Sequence, residues 1–154
     1  MSEEETDAPA LEDRHFTVEE VNALIPHMEA IFERITELYE EAQGLLSQLN
    51  AKGESLEGEE NDETPDDVKE KRGRVRELAE AIQEGVDEIE QPGSSVKDLS
   101  SGLVDFLSRR DGRTVYLCWH RGESECSWWH DLDSGVQGRK PIAEATEFEG
   151  TYVH

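Results

Sequence analysis

The chain is short of positive charge and of bulky apolar residues. Fifteen Lys and Arg stand against 38 Asp and Glu in 154 residues, a formal charge of -23. Leu, Ile, Val and Phe together number 33, near the limit below which a chain cannot bury enough apolar surface to fold. A core must therefore be concentrated in a few well-patterned segments, and the length allows one small domain, or one domain with a helical arm. No run of 18 apolar residues occurs, so no membrane-spanning helix is expected. The opening MSEEETDAPALED is acidic and has no apolar stretch, unlike a secretory signal, so a cytoplasmic location is expected. Cysteine is almost missing: Cys118 and Cys126 are too few for a disulfide framework, and a reducing compartment keeps them as thiols. Lysine is scarce too, 5 against 10 Arg. The acidity has three readings: a soluble surface, mimicry of nucleic acid or capture of a basic partner, and adaptation to high intracellular salt.

The charge is unevenly spread. Residues 1–63 carry a net -16, residues 64–93 a net -4 and residues 94–154 a net -3, and the last segment holds all three tryptophans and both cysteines. Residues 1–14 read as a disordered acidic tail. Thr17 followed by Glu20 is a capping box, and Phe16 and Val21 flank it at the spacing of a hydrophobic staple. Val21, Ile25, Met28, Phe32, Ile35, Tyr39, Ala42, Leu46 and Leu49 then follow in steps of four and three, a heptad seam. Leu24, Ile31, Leu38 and Leu45 run beside it, so the stripe is wider than a two-stranded coil needs and asks for a further packing element. Pro26 removes the bond to the Asn22 carbonyl and is expected to kink the first turns. Residues 18–49 would make a rod on the order of 48 Å long at about 1.5 Å per residue.

Residues 50–63 are polar and contain glycine, and read as a mobile loop. Thr64-Pro65 opens a second helix, with Asp67 completing a second box. Val68, Val75, Ile82 and Ile89 recur every seven residues, and Pro92-Gly93 ends the helix. The basic run 69–76 (KEKRGRVR) is most simply a solvated helix face pairing with glutamates of the first helix. After that the period changes. TVYLCWH (114–120) and ECSWWHD (125–131) are β-branched and aromatic and read as a hairpin, Asp111-Gly112 as a turn before it, and Val96–Phe106 and Val136–Ile142 as further short strands. The expected fold class is α+β: a long antiparallel helical hairpin over residues 15–93, packed on a small antiparallel β-sheet over residues 94–154.

GLVDF (102–106), GR-x-VYLCW (112–119), Gly122-Glu123 and WHDLD-x-G-x-x-GR-x-PI (129–142) resemble the signature of the prokaryotic domain-of-unknown-function 2203 family. Phe16-Thr17 and E-x-N-x-L-x-P (Glu20 to Pro26) are similar to that family's opening. The resemblance covers residues 16–49 and 95–142 and implies a small prokaryotic intracellular protein, with no established activity, fold or ligand. The family's pattern has an arginine or lysine where this chain has His120, and a variable residue at Cys126.

Four residues suggest a metal site: Cys118-x-His120-x5-Cys126-x3-His130 offers two thiols and two imidazoles, a set zinc accepts, though not at a finger or ribbon spacing. The apolar pattern puts Trp119 opposite Cys126, Leu117 opposite Trp128 and Val115 opposite His130. Cys118 and His120 then lie on the other face from Cys126 and His130. A slip of one residue would gather them at the cost of mixing the apolar and polar faces. A second possibility is a nucleophile made from Cys118 or Cys126, with His120 or His130 and an acid such as Asp105, Asp131 or Asp133, although a strand cysteine is more often a small buried hydrophobe. Arg113, Arg121, Arg139 and Lys140 alternate with Tyr116, Trp119, Trp128 and Trp129, a pattern that suits single-stranded nucleic acid or an anion. The plainer account is internal pairing with Asp105, Glu123, Asp131 and Asp133. Trp128 and Trp129 point to opposite faces of a strand, so one enters a core and the other needs a cover.

These features favour a non-catalytic interaction or assembly module, a homodimer or a complex with a protein partner, without a cofactor and away from membranes. Trp119, Trp128, Trp129, His130, Arg113 and Arg139 are the expected ligand or partner residues. The alternatives are a metal- or small-anion-binding protein using the Cys/His/Arg-rich β module, with zinc as the metal, and a nucleic-acid-associated protein.

Overall fold

The computed structural model of the protein describes residues 14–151. The acidic tail expected at the start lies outside that span except for Arg14. The described chain holds two helices, α1 (Val18–Ala51) and α2 (Asp66–Glu90), followed by strands β1 (Ser95–Asp98), β2 (Leu103–Arg110), β3 (Arg113–His120), β4 (Trp128–Asp131), β5 (Lys140–Pro141) and β6 (Phe148–Glu149). The class is α+β. The chain divides into two compact units, Met1–His27 with Glu90–His154, and Met28–Ile89. The first turns of α1 therefore belong with the sheet. Pro26 lies inside α1, just before the division, and the helix continues through it.

The start of α1 is capped as its sequence predicts. The Glu20 amide donates to Thr17 Oγ1 at 3.0 Å and the Thr17 amide donates to Glu20 Oε1 at 2.9 Å. Phe16 and Val21 are both fully buried. The Phe16 amide donates to the Leu107 carbonyl at 2.6 Å, and its ring meets Phe106 edge-on at 5.1 Å. The start of the helix is thus tied to β2 through Phe16.

In the helical unit α2 returns antiparallel to α1: Gly85 lies against Ile35, Arg74 pairs with Glu41, and Lys52 pairs with Asp67. A Cβ at Gly85 would come within 3.0 Å of the Ile35 side chain, so that glycine permits the close approach. The row Val21, Met28, Ile35, Ala42, Leu49 is buried along its whole length, whereas Tyr39 is 55% exposed and Leu46 half-buried. In the second row Ile25 and Phe32 are buried as well, so the exposure is confined to the stretch from Tyr39 to Leu46. The second capping box does not form. Thr64 Oγ1 accepts the Asn61 amide at 2.9 Å, and the Asp67 carboxylate pairs with Lys52 and Lys71.

Within the basic run, Arg74 makes the exposed pair with Glu41 that the pattern predicts, but Arg72 is fully buried. Its guanidinium donates to the Ser55 carbonyl at 2.8 Å and to Glu54 at 2.9 Å, with the Glu59 carbonyl and Glu60 each at 3.4 Å. The polar connection between the helices is folded around this one side chain. Gly58 leaves room for it, since a Cβ there would fall 2.3 Å from Arg72 Nη2.

The sheet is antiparallel, in the order β1-β2-β3-β4-β5, with β6 also on β2. Asp111 (φ 54°) and Gly112 (φ 76°) form the two-residue β2–β3 turn, where both positions need the left-handed region. Its inner face carries Val104, Phe106, Ser108, Val115, Leu117, Trp119 and Trp129, all buried, with Phe148 against Trp129 at 5.9 Å. The outer face carries Leu103, Asp105, Tyr116, Cys118, Trp128 and His130 by strand alternation.

Arg72→Ala is expected to lower the unfolding free energy by about 2–3 kcal/mol, the scale of hydrogen bonds to charged groups, measured by urea denaturation. Arg74→Ala, which removes an exposed pair, should leave the midpoint nearly unchanged.

Candidate functional site

The β3–β4 register differs by one residue from the one the apolar pattern favours. Tyr116 pairs with His130, Leu117 with Trp129 and Cys118 with Trp128. The physical reason lies in the connection. The Cys126 amide donates to Asn22 Oδ1 at 2.6 Å, so Cys126 is held by α1 outside the β3–β4 ladder. The Trp119 indole donates to the Glu123 carbonyl at 2.9 Å, which pins the first half of the loop. Trp129, not Trp128, fills the inner face beside Leu117. The feared mixing of faces does not occur, because the displaced Trp128 is covered by Arg139, whose guanidinium lies 4.6 Å from its ring centroid.

This register brings Cys118 and His130 to one face, together with Asp105, which pairs with Cys118 across β2–β3. One ligand-capable atom from each of the three lies within 4.8 Å of the others. All three residues are buried, at 4%, 0% and 2% exposure for Asp105, Cys118 and His130. His130 Nε2 is 3.1 Å from Asp105 Oδ2, and Nδ1 is 2.8 Å from the Asp131 carbonyl. Among the described residues the other carboxylate oxygen, Asp105 Oδ1, is buried with no hydrogen-bond partner. The His130 imidazole is pushed up to about 10. Burial opposes its charge, and hydrogen bonding to Asp105, Cys118 and the Asp131 carbonyl, with attraction to Asp105, outweighs burial.

The remaining members of the expected quartet stand elsewhere. His120 is not part of this group, and its amide donates to Glu123 Oε1 at 2.9 Å. Cys126 is likewise outside the group, and burial pushes its thiol up to about 12. Of the four residues expected to ligate, Cys118 and His130 share a group that could hold an ion, and its third member is Asp105. In the sequence Asp105 stands out only as a partner for a thiol–imidazole pair or an arginine. The signal for its present place is a lone acid in the apolar run Leu103–Leu107, read together with the shifted register.

Arg139 borders the cluster. Its Nη1 is 3.8 Å from Cys118 Sγ and its Nη2 is 3.2 Å from Glu123 Oε2. Glu123 therefore holds the loop by its carbonyl, the end of β3 by one carboxylate oxygen and Arg139 by the other. Two glycines suit the tight turn before Arg139: Gly135 has φ 70°, and a Cβ at Gly138 would meet Ser134 at 2.8 Å. Arg113 and Lys140 both pair with Asp131, at 2.9 and 3.2 Å, and hold its carboxyl below the usual range, Lys140 contributing first. Trp119 is in the inner core, and Trp129 is covered there by Phe148, Arg110 and Lys140. Beside the cluster is an open cleft of about 480 Å³ lined by Lys97, Tyr116, His130, Asp105, Leu132 and Val136 among others.

A family model described as "Uncharacterized conserved protein (DUF2203)" matches residues 14–142. The chain belongs to the DUF2203 family. No curated protein and no solved structure matches it. The stretches of this DUF2203 chain that resemble the family's signature build one structure. The Asp of GLVDF, the Cys of VYLCW and the His of WHDLD form the buried cluster, the Glu of Gly122-Glu123 and the Arg of GR-x-PI frame it, and the Asn of E-x-N-x-L-x-P sets the loop. No helix of the described residues is long and apolar enough to cross a membrane.

His130 binds its proton more tightly folded than unfolded, from an ordinary value of 6.5 to about 10. Stability from this group is fully present below pH 6.5 and is lost as pH rises through about 10. The melting temperature should therefore fall between those values, and His130→Gln should flatten that part of the profile; an unchanged slope in the variant would assign the loss to another group.

Proposed function

We propose that this DUF2203 protein is a non-catalytic binding module whose working surface is the outer face of the sheet. The observation that carries this reading is the buried Asp105–Cys118–His130 cluster, opening on a cleft and holding an unpartnered carboxylate oxygen. A buried polar atom without a partner costs free energy of about 1–3 kcal/mol, and a bound ligand is a ready means of satisfying it. The alternation of arginine and tryptophan, which also suits a nucleic acid, is taken up inside the unit. Arg113 pairs with Asp131, and Arg139 pairs with Glu123 while covering Trp128. What remains suits an ion or a small molecule.

The test is thermal unfolding of the full chain with a panel of divalent cations, phosphate, sulfate and small carboxylates. A ligand at about 100 times its Kd adds about 2.7 kcal/mol, so one class should raise Tm by several degrees. Asp105→Asn and His130→Gln should abolish the rise. A panel without effect, or an effect indifferent to both variants, removes the reading.

A second surface favours assembly. Tyr39 is 55% exposed, and Leu38, Leu45 and Leu46 on the same helix are half-buried, so the helical unit leaves an apolar flank that a second copy could cover. Its acidic surroundings would oppose pairing at low ionic strength and permit it when screened. Sedimentation should show dimers that grow with salt and are lost in Tyr39→Glu; a monomer at every salt and concentration removes this surface.

A further inference from the structure

We infer that Asp105, Cys118 and His130 bind one thiophilic divalent cation, zinc by ligand preference, with a fourth position left to water or a small ligand. The inference rests on reading the outer face as the binding surface, and it names what that surface holds.

Geometry comes first. Ligands at zinc's bond lengths of about 2.0–2.3 Å in tetrahedral array stand about 3.3–3.8 Å apart. The three candidate atoms already lie within 4.8 Å of one another, on neighbouring strands of one sheet face. Closing on an ion asks for rotamer adjustments of about an ångström on rigid elements. The hydrogen-bond pattern points the same way. A ligating histidine commonly donates its other ring N–H to a carbonyl or carboxylate, which fixes the tautomer and orients the free nitrogen. His130 Nδ1 already has the Asp131 carbonyl at 2.8 Å, leaving Nε2 to face Asp105. Asp105 meanwhile keeps Oδ1 buried and unused.

The same pattern argues against a thiol–imidazole–carboxylate nucleophile. A relay of that kind needs the sulfur at one ring nitrogen and the acid at the other. Here the Asp131 carbonyl occupies Nδ1, so Nε2 is the one nitrogen left for both Asp105 and Cys118. Three groups converging on a point serve an ion better than they serve a relay.

Charge also balances. A thiolate and a carboxylate neutralise a divalent cation, and the nearby guanidinium of Arg139 is already matched by Glu123 at 3.2 Å. Arg139 Nη1 lies 3.8 Å from Cys118 Sγ, at the edge of the site. Sulfur, nitrogen and a single carboxylate select zinc or cobalt over magnesium or calcium, which take oxygen shells. Three protein ligands are the number that leaves a position open, and Asp105 and His130 both line the cleft.

The untagged full chain, stripped with chelator and dialysed, is titrated with Co(II) and then with Zn(II). One cobalt per chain should bind, with a thiolate-to-cobalt charge-transfer band and the visible bands of four-coordinate cobalt, and zinc should displace it. The chain has two cysteines, so persistence of the band in Cys126→Ser assigns the sulfur to Cys118 without a variant of any proposed ligand. Asp105→Asn and His130→Gln should weaken binding by more than the roughly 100-fold that outer-shell partners are worth, and His120→Gln should leave it unchanged. Absence of the band in the wild-type chain, its loss in Cys126→Ser, or equal effects of His120→Gln and His130→Gln would overturn the site. If cobalt fails while an anion raises Tm in an Asp105- and His130-dependent way, the metal falls and the outer-face reading stands. If neither acts, both fall.

Discussion

Which of two adjacent tryptophans enters the core decides what the opposite face of the sheet can do. Trp128 and Trp129 have the same chemistry, and either could fill the space beside Leu117. Strand alternation then assigns every neighbour: with Trp129 inside, His130 must point out beside Cys118. The choice is made outside the ladder. The bond from the Cys126 amide to Asn22 and the bond from the Trp119 indole to Glu123 set how much chain the β3–β4 connection consumes. One residue more or less in that connection would turn His130 inward and disperse the cluster.

The polar groups of the β unit form a linked set rather than a scatter of surface pairs. Glu123 joins the loop, the end of β3 and Arg139, and Arg139 joins Glu123, Trp128 and Cys118. A guanidinium suits this place because it is flat enough to lie over an indole while its edges donate to a carboxylate and a sulfur. In such a set nearly every buried polar atom has a partner, and Asp105 Oδ1, which has none among the described residues, stands out for that reason.

The helical unit handles its charge differently. Most acids of the described residues before residue 64 are exposed, where pairs such as Arg74–Glu41 are worth little. Arg72 is the exception, enclosed by the very connection whose acids would otherwise repel one another. An acidic, glycine-containing segment thereby gains a cationic centre to fold around, and Gly58 supplies the space.

Much of the architecture was legible in order along the chain. The capping box at Thr17, the start of the heptad row from Val21, the Asp111-Gly112 turn and the period-two strands depend on neighbours within a few residues, and such interactions follow from spacing alone. The second capping box failed, and Arg72 went inside, because their partners came from the interhelical connection. The identity of the cluster was legible only in part. Cys118 and His130 were in view, but His120 and Cys126 stood with them, and Asp105 figured only as one of several acids for a thiol–imidazole pair or an arginine. Sequence determined which residues could ligate or stack. Only the tertiary structure decided which of them meet, because a strand register depends on the length and anchoring of its connection, and here the anchor is Asn22, more than a hundred residues from the amide it holds.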